Sequence, residues 1–473
     1  MKIKNICCIG AGYVGGPTMS VFALKCPDIN FIVVDISEEK INAWNNNDLK
    51  KLPVYEPGLK EIIAQTRNKN LFFSTDIDEA IKKSEMIFMS VNTPTKTQGE
   101  GKGMAADLRF VESCAKRIGE VANKNKIVVE KSTLPVRTAE KIKEVLNTHN
   151  SDKEIKFEIL SNPEFLAEGT AINDLLKPDR VLIGGDNSES GKEATQLLVE
   201  LYKKWIPKEK ILTTNIWSSE LSKLVSNAFL AQRISSINSI SAICEKTGAD
   251  IEEVSKAVGM DSRIGNKFLT SSIGFGGSCF KKDILNLVYI SEYYGLKMVA
   301  NYWQQVIDLN NYQTNRIFDK VCDALNLRSK IKRSICILGW AFKKNTNDSR
   351  ESASIYLTKQ LLQIGVQVNV YDPMVNKNKI FTDIENLFNN SDSNNLKINK
   401  KSSNLNVFSS AYDASLNSSA IIICTEWDEF KTLNWTQICA SMKNPSWIFD
   451  GRNIIDNDQL LKLGFKTFII GKS

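Results

Sequence analysis

Residues 6–15 read Ile6-Cys7-Cys8-Ile9-Gly10-Ala11-Gly12-Tyr13-Val14-Gly15. The apolar run at 6–9 predicts a buried strand, and the Gly10-x-Gly12-x-x-Gly15 spacing predicts a tight turn that opens a helix. Gly10 allows the turn, Gly12 lets the backbone approach a pyrophosphate, and Gly15 allows the helix to pack closely on the strand. The helix N-terminus offers free N–H groups to phosphates, so this stretch, with Tyr13 and Val14 in its turn, predicts a dinucleotide site.

An acidic residue, Asp35, ends the second predicted strand 20 residues after Gly15. A carboxylate at this place accepts hydrogen bonds from the ribose hydroxyls and repels a 2′-phosphate, which favours NAD over NADP. Lys40, five residues further on, weakens that preference slightly. FAD is the minority alternative to NAD as the cofactor. The non-functional alternative is a glycine turn that serves only helix–strand packing.

Two stretches of alternating strands and helices flank a helical segment. Strands are predicted at 6–9, 31–34, 86–91, 127–130, 157–160, 181–183, 335–338, 368–371, 420–424 and 447–449. Strands that alternate with helices predict parallel sheets. The fold class is therefore α/β, with two Rossmann-like domains joined by a long central helix at 218–247, which Gly248 ends. We expect an NAD-binding domain at 1–215, a helical connector and dimerisation domain at 216–328, and a C-terminal domain at 329–473. The Asn-, Ser- and Lys-rich segment 389–406 is expected to be a surface loop.

Composition excludes several classes of protein. The 473 residues carry 61 Lys and Arg against 54 Asp and Glu, and the net charge of +7 is too small to indicate nucleic-acid binding. The single histidine, His149, is expected in a loop. Unless His149 is exceptional, this argues against a Ser-His-Asp triad, and one histidine is too few for the two-His zinc motifs. Ten cysteines without a CxxC pair indicate a reducing, cytoplasmic compartment. Neither a signal peptide nor a membrane span is expected, and no metal is expected.

A glycine-rich loop precedes a cysteine at a predicted helix start. The loop reads Gly274-Phe275-Gly276-Gly277-Ser278-Cys279 and is followed by Phe280-Lys281-Lys282-Asp283. Ser278 is a good N-cap, and Cys279 in the first turn lies where the helix dipole favours a thiolate. Asp283, four residues later, shares its helix face and is able to accept a proton or hold a water. Cys279 is therefore the candidate nucleophile, against the alternative of a buried cysteine beside a loop.

Other polar residues follow predicted strands or lie on the long helix. Lys223 and Asn227 are one helical turn apart, on a helix whose faces both look buried further along. Thr133, Glu164 and Glu168 follow strands, and ligands of open parallel sheets bind beyond the carboxyl ends of strands. In the C-terminal half, Lys343, Arg350 and Arg452 also follow strands and suit phosphate binding. Helix capping, turn formation and ordinary surface charge are the alternatives for these residues.

Taken together, the segments resemble the animal-type UDP-glucose 6-dehydrogenases, a branch of the UDP-glucose/GDP-mannose dehydrogenase family. The resemblance covers nearly the whole chain. It is carried by 10–15, Val91-Asn92-Thr93-Pro94-Thr95, 130–133, 162–169, 217–223, 227–232, 274–279, 341–344, Cys424-Thr425-Glu426-Trp427 and 450–452. It implies oxidation of the C6 alcohol of UDP-glucose to UDP-glucuronate with two NAD and one water, through a thiohemiacetal and a thioester on a cysteine.

The resemblance also implies roles for individual residues. Cys279 would be the nucleophile and Lys223 would stabilise the oxyanion. Asp283 and Glu164 would manage protons and water, with Thr133 assisting, and Asn227 would contact the sugar. The implied cofactor contacts are Gly10, Gly12, Tyr13, Val14, Gly15, Asp35, Lys40, Thr133, Glu168 and Arg350. The implied substrate contacts are Glu164, Phe165, Leu166, Lys223, Asn227, Arg263, Phe275, Gly276, Phe280, Phe342, Lys343 and Arg452.

Arg263 resembles an arginine that reaches the substrate of a neighbouring subunit, which implies that oligomerisation matters for activity. A homo-oligomer is expected, with a dimer as its unit, because the family forms dimers in bacteria and hexamers in animals. One departure is Thr270, which stands where the animal enzymes would have Lys, so substrate affinity is in question.

Three rival functions stay open at this point. A sister dehydrogenase of UDP-N-acetylmannosamine or GDP-mannose would use the same chemistry on another sugar. A one-step alcohol dehydrogenase of the hydroxyacyl-CoA type would need no Cys279 and usually depends on a histidine base. A catalytically inactive nucleotide-sugar-binding protein would not need Cys279, Lys223 and Asp283 together.

Overall fold

The computed structural model describes residues 2–328, 333–389 and 404–472. The chain forms two compact units: Met1–Ser226 with Leu285–Tyr294, and Asn227–Ile284 with Gly295–Ser473. Each unit contains one mainly or wholly parallel sheet with helical crossovers. The long helices lie between these two sheets in the sequence. The predicted α/β class with two Rossmann-like folds is therefore confirmed.

The first unit is built on an eight-stranded sheet of order β3-β2-β1-β4-β5-β6-β7-β8. The strands are β1 Asn5–Ile9, β2 Asn30–Val34, β3 Leu71–Ser74, β4 Met86–Met89, β5 Lys126–Glu130, β6 Phe157–Ser161, β7 Val181–Gly185 and β8 Ile211–Asn215. The helices between them are α1 Gly15–Lys25, α2 Glu38–Asn45, α3 Leu59–Thr66, α4 Ile77–Lys83, α5 Arg109–Val121, α6 Thr138–His149, α7 Ala171–Leu176 and α8 Glu189–Tyr202. Short 3₁₀ turns occupy Leu49–Lys51 and Lys208–Lys210.

Strand β1 shows why this sheet is central to its unit. Successive side chains of a strand point to opposite faces, and all four residues of the 6–9 run are buried. Ile6 and Cys8 join the apolar cluster on one face, and Cys7 and Ile9 join the cluster on the other. A strand buried on both faces has a continuous apolar sequence, as this one does.

The second unit contains an all-parallel sheet of order β11-β10-β9-β12-β13-β14. Its strands are β9 Ser334–Leu338, β10 Gln367–Tyr371, β11 Leu405–Val407, β12 Ala420–Ile423, β13 Trp447–Asp450 and β14 Lys466–Ile469. Its helices are α13 Ala353–Gln363, α14 Lys377–Asn389, α15 Ala411–Ser415, α16 Asp428–Lys431, α17 Trp435–Ser441 and α18 Asn457–Lys462. Of the surface loop predicted at 389–406, residues 390–403 lie outside the described residues. The first residue of the predicted loop, Asn389, belongs to α14, and the last, Asn406, belongs to β11.

Four helices form the segment between the sheets in the sequence: α9 Ile216–Thr247, α10 Ile251–Gly259, α11 Phe280–Tyr293 and α12 Lys297–Leu325. The predicted central helix is therefore confirmed, and it starts two residues earlier than expected. Gly248 follows its last residue with φ of +82°, and its N–H donates to the carbonyl of Cys244 at 3.0 Å. None of the helices in the described ranges combines the length and apolar character that a bilayer crossing requires.

Some local predictions were wrong. His149 is the last residue of α6 rather than a loop residue, and its Nδ1 lies 3.0 Å from the carbonyl of Val145. Strand β7 pairs antiparallel with β6 at Ser161 and Gly184, so the first sheet is not wholly parallel. Strand β8 was missed because it is an edge strand with mostly exposed side chains, which leaves no apolar run in the sequence.

Candidate active site

The glycine turn of the first unit connects β1 to α1 as predicted. Gly10 has φ of +113°, and a Cβ on it would lie 2.3 Å from the carbonyl oxygen of Ser90, so only glycine fits there. A Cβ on Gly12 would meet nothing within 4 Å, which leaves that side of the backbone open to a ligand. Val14 lies at the N-cap of α1, and Tyr13 packs on the neighbouring apolar cluster.

Asp35 ties the end of β2 to this turn. Its Oδ2 accepts from the Ala11 N–H at 3.0 Å and from Lys40 Nζ at 3.3 Å, and its Oδ1 accepts from the Ser37 N–H. The side chain is nearly buried, so these contacts fix its position. An open glycine turn at a helix N-terminus, with a fixed carboxylate beside it, fits a dinucleotide such as NAD.

A buried ion pair lies beyond strand β6. Lys223 Nζ is 3.4 Å from Glu164 Oε1, and the two side chains are 4% and 9% exposed. The other oxygen of Glu164 accepts from the Leu166 N–H at 2.7 Å. Thr133, after β5, accepts a hydrogen bond from the Thr93 hydroxyl on its carbonyl. The pair keeps a cation and a carboxylate together where water is scarce, which strengthens their electrostatic effect.

The ring of Phe165, next to Glu164, contacts two cations. The guanidinium of Arg180 lies 3.7 Å from the ring centre and Lys223 Nζ lies 5.4 Å from it. Burial lowers the pKa of Arg180. These contacts hold the ring in place. The sequence analysis missed Arg180, because its place on this ring depends on tertiary structure and no spacing in the sequence indicates it.

Lys131 is a second residue that the sequence analysis did not select. It is 3% exposed, and its Nζ donates to Asn162 Oδ1 at 3.1 Å and to the Tyr202 hydroxyl at 3.3 Å. Burial lowers the pKa of Lys131 to about 8, although the charge of Glu164 opposes this shift. Asn162 begins the segment that carries Glu164 and Phe165, so Lys131 helps to fix that segment. The signal in the sequence was a lysine directly after an apolar strand.

Two buried carboxyl groups face each other between β5 and α9. Glu220 accepts from the backbone N–H groups of Arg137 at 2.7 Å and Ala139 at 2.9 Å, which caps α6. Burial raises the pKa of Glu220 to about 7, although those hydrogen bonds oppose the shift. Burial also raises the pKa of Glu130 well above its usual value, and the charge of Glu220 raises it further.

This pair predicts a pH-dependent stability. A carboxyl group whose pKa is raised by folding stabilises the folded state fully below its unfolded pKa of about 4.3, and loses that contribution as the pH rises through its folded pKa. We expect Glu130→Gln to make the free energy of unfolding fall less steeply as the pH rises from 5 to 8, because the group with the raised pKa is gone. Urea unfolding at several pH values measures this, with Glu193→Gln, at an exposed position of α8, as the control. Equal pH slopes in the wild type and Glu130→Gln would contradict it.

In the second unit, Cys279 immediately precedes α11. The N–H of Asp283 donates to the Cys279 carbonyl at 2.8 Å, so Cys279 itself occupies the cap position that was predicted for Ser278. The helix starts one residue later than expected because the loop ends in a bend through Ser278 and Cys279. All ten cysteines lie in the described residues, and only Cys279 and Cys439 are not buried.

Asp283 lies in the first turn of α11 and is 1% exposed. Its Oδ2 accepts a hydrogen bond from Asn227 Nδ2 at 2.6 Å, and Lys282 Nζ lies 3.8 Å from its Oδ1. The sequence predicted Asn227 and Asp283 as separate site residues, and the structure brings them together. The hydrogen bond from Asn227 fixes the orientation of the Asp283 carboxyl group.

Aromatic rings and one arginine surround the glycine loop of this unit. Phe275 and Phe280 form an edge-to-face pair at 5.8 Å. Arg452 donates from Nε to the Cys424 carbonyl at 2.7 Å and from Nη2 to the Phe342 carbonyl at 2.8 Å. Lys343 Nζ lies 5.6 Å from the Phe342 ring centre. Arg452, which follows β13, therefore lies beside Phe342, and Phe342 in turn contacts Lys343; both of these follow β9.

Other selected residues are more exposed. The guanidinium of Arg350 donates to both oxygens of Asp348, from Nε at 2.9 and 3.0 Å and from Nη2 at 2.7 Å. Arg263 is 87% exposed and its Nη2 contacts Asp261 at 2.6 Å. Thr270 is exposed, and Glu168 is partly buried after β6. The candidate residues thus divide between the two units, each of which holds its own cluster.

Comparison with known proteins identifies the family. Residues 4–206 match the NAD binding domain of the UDP-glucose/GDP-mannose dehydrogenase family, residues 217–312 match its central domain, and residues 336–457 match its UDP binding domain. The chain belongs to the UDP-glucose/GDP-mannose dehydrogenase family. As a member, it is an NAD-dependent oxidoreductase with NAD as its cofactor.

Relatives in this family cover the whole chain. It is 57% identical to UDP-glucose 6-dehydrogenase of Drosophila melanogaster, covering 99% of this chain and 96% of the relative. It is 54% identical to the enzyme of the same name from Gallus gallus, covering 100% of this chain and 94% of the relative. A solved UDP-glucose dehydrogenase from Pyrobaculum islandicum superposes with a TM-score of 0.83 at 28% identity, covering 100% of this chain and 98% of that one.

Proposed function

We propose that this family member oxidises UDP-glucose to UDP-glucuronate. The observation that carries the proposal is Cys279 at the start of α11, followed one turn later by the buried Asp283 that Asn227 holds. A one-step dehydrogenase needs no nucleophile, whereas a two-step oxidation to an acid does. The choice of sugar is supported by the relatives that are more than half identical and act, by name, on UDP-glucose.

The thiol of Cys279 carries the second half of the reaction. Its sulfur adds to the C6 aldehyde that the first oxidation leaves, forming a C–S bond, and the aldehyde oxygen takes up a proton. Loss of a second hydride and a proton turns this thiohemiacetal into a thioester. Water then attacks the carbonyl carbon, the C–S bond breaks, and the acid leaves while the thiol regains its proton. The covalent bond keeps the aldehyde from escaping between the two oxidations.

The buried cation and carboxylates assist these steps. Lys223 stabilises the negative charge that develops on the C6 oxygen, and Glu164, 3.4 Å from it, orients water with the assistance of Thr133. Asp283 accepts a proton from water or from the C6 hydroxyl, and Asn227 fixes its orientation.

NAD, when bound, accepts one hydride in each of the two oxidations. Gly10, Gly12, Tyr13, Val14 and Gly15 would hold its pyrophosphate, with Asp35 on the ribose. Lys40, Thr133, Glu168 and Arg350 are the further contacts in the proposal. Lys40 acts through Asp35, since its ammonium lies on that carboxylate.

The substrate would be held by residues from separate parts of the chain. The proposed contacts are Glu164, Phe165, Leu166, Lys223, Asn227, Arg263, Phe275, Gly276, Phe280, Phe342, Lys343 and Arg452. The diphosphate suits Lys343 and Arg452, because guanidinium and ammonium groups bind phosphate oxygens. The domain boundaries 1–215, 216–328 and 329–473 and a reducing, cytoplasmic compartment remain part of the proposal.

We also propose a homo-oligomer, with a dimer unit and a hexamer as the larger form. Several large apolar side chains of α9, α11 and α12 are exposed in the single chain, among them Phe229 at 55%, Ile243 at 56% and Tyr302 at 54%. Exposed apolar side chains on neighbouring helices are typical of subunit contacts.

Arg263 tests the role of a neighbouring subunit. We expect Arg263→Ala to lower kcat/KM for UDP-glucose by about 10- to 100-fold, because a charge-assisted contact to the substrate is lost. Its exposed side chain adds little to folding, so NAD affinity and the thermal midpoint are expected to stay close to those of the wild type. Arg328→Ala is the matched control, because it also breaks an exposed ion pair, in this case the one between Arg328 and Asp319. Equal loss of NAD affinity and turnover would indicate misfolding instead.

Product analysis tests the proposed function directly. The protein is incubated with NAD and either UDP-glucose, UDP-N-acetylmannosamine or GDP-mannose, and the products are identified by mass spectrometry. We expect UDP-glucuronate and two NADH per UDP-glucose. One NADH per sugar would favour a one-step alcohol dehydrogenase, preference for another sugar would favour a sister enzyme, and no turnover would favour an inactive binding protein.

A further inference from the structure

A cluster of three side chains in the second unit includes Lys281, which lies two residues after Cys279 in the sequence. Lys281 Nζ donates to Glu351 Oε2 at 2.8 Å and lies 3.2 Å from the Tyr356 hydroxyl, which in turn donates to Glu351. The Lys281 ammonium also lies 5.2 Å from the Tyr356 ring centre. Lys281 belongs to the first turn of α11, and Tyr356 belongs to α13. Neither Lys281, Glu351 nor Tyr356 has a role in the proposed chemistry.

The backbone next to Glu351 makes a second attachment to the same loop. The Gly277 N–H donates to the Arg350 carbonyl at 2.8 Å. A Cβ on Gly276 would lie 2.6 Å from the Glu351 carbonyl oxygen, so the two backbones are in close contact. Gly277 and Lys281, two residues before and two residues after Cys279, therefore both form hydrogen bonds with the dipeptide Arg350–Glu351.

This dipeptide has an unusual conformation. Glu351 has φ of +53°, in the left-handed region that residues other than glycine rarely adopt. Such a conformation costs free energy and persists where the surrounding contacts impose it, which is a recurrent feature of functional sites. Here it directs the Arg350 carbonyl to Gly277 and the Glu351 side chain to Lys281.

We propose that Lys281, Glu351 and Tyr356 are positioning residues that hold Cys279 in place for the second oxidation. The inference rests on the proposed function, in which Cys279 must reach the C6 aldehyde before it escapes. Displacement of a reacting atom by about 1 Å is enough to slow a reaction by roughly 100-fold.

The partial exposure of Lys281 and Glu351 distinguishes a role in positioning Cys279 from a role in stabilising the fold. The side chains of Lys281 and Glu351 are 35% and 37% exposed, so solvent screens the ion pair and its effect on stability is small. The cluster lines a cleft of about 400 Å³, which gives water access to it. A purely structural ion pair of this kind would leave turnover unchanged when it is broken.

The test compares Lys281→Met, Glu351→Gln and the double variant with the full-length wild type. We expect each single variant to lower the rate of UDP-glucuronate formation about 10-fold and to release trappable aldehyde, with KM for UDP-glucose within about 2-fold and the first NADH formed at a nearly unchanged rate. The double variant is expected to lose about 10-fold rather than about 100-fold, because the pair acts as one unit. Lys281→Arg is expected to restore the rate to within about 3-fold.

Lys431→Met, which breaks the exposed pair with Asp428, is the matched control. Single variants that match this control, or losses that multiply in the double variant, would overturn the positioning role while the wild type still makes UDP-glucuronate. Failure of the wild type to make UDP-glucuronate would instead refute the proposed function.

A second measurement does not depend on activity. The rate of iodoacetamide labelling at Cys279, relative to Cys439 in the same sample, is expected to change by at least about 3-fold in Lys281→Met and not in Lys431→Met. An unchanged ratio would overturn the inference. If Lys281→Met or Glu351→Gln fails to fold, Tyr356→Phe decides, because it keeps the ion pair and is expected to raise aldehyde release by about 2- to 3-fold.

Discussion

Replacement of Cys279 by serine is expected to reduce UDP-glucuronate formation by about 10³-fold or more. A serine hydroxyl is almost wholly protonated at neutral pH and is a far weaker nucleophile than a thiolate, so the thiohemiacetal no longer forms at a useful rate. The first oxidation needs no nucleophile, and one NADH per sugar is therefore expected to appear. Any ester that does form on the serine is expected to hydrolyse slowly and to persist as a covalent adduct.

Rapid-mixing absorbance of NADH, together with intact-protein mass spectrometry, measures both events. Cys439→Ser is the matched control, because Cys439 is the other thiol that is not buried, and its sulfur lies 3.3 Å from the Leu463 carbonyl. Normal two-step turnover in Cys279→Ser would remove the thiol from the mechanism, and the same loss in Cys439→Ser would point to a general effect of the substitution.

Replacement of Lys223 by methionine is expected to lower kcat by about 10²- to 10³-fold, since it removes the cation that we propose stabilises the developing oxyanion. It also leaves the buried carboxylate of Glu164 without its partner, which is expected to cost about 3 to 5 kcal/mol in the free energy of unfolding. The two effects have to be separated before the loss of activity is assigned to catalysis.

The double variant Lys223→Met with Glu164→Gln separates them. Neutralising Glu164 is expected to restore most of the stability without restoring kcat, and urea unfolding beside steady-state kinetics tests this. Lys246→Met, an exposed lysine on the same helix, controls for the substitution itself. Recovery of kcat together with stability in the double variant would show that Lys223 acts through folding alone.

The fold was predictable where local sequence and tertiary structure agree. The run at 6–9 is apolar because β1 is buried on both faces, and Gly10 is required by its conformation and by the nearby Ser90 carbonyl. The prediction of an NAD site followed from the apolar run at 6–9 and the glycine turn that begins at Gly10. Strand β8 was not predictable in this way, because an exposed edge strand needs no apolar residues.

The candidate site was predictable as a set of residues but not as a set of contacts. Cys279 and Asp283 were indicated by helix spacing, which is local. The hydrogen bond from Asn227 to Asp283 and the stacking of Arg180 on Phe165 join residues that lie 56 and 15 positions apart, and no short-range pattern encodes them. The one-residue error at the start of α11 reflects a loop whose shape is set by contacts with Arg350 and Glu351.

The cysteine distribution has a consequence for covalent chemistry. Burial raises the pKa of the thiols of Cys7, Cys8, Cys26, Cys114, Cys244, Cys322, Cys336 and Cys424. Thiol-directed reagents that meet the folded chain therefore encounter only two accessible cysteines among the described residues, and one of them is the proposed nucleophile. A covalent inhibitor directed at thiols needs to discriminate only between Cys279 and Cys439, because the other eight thiols are buried.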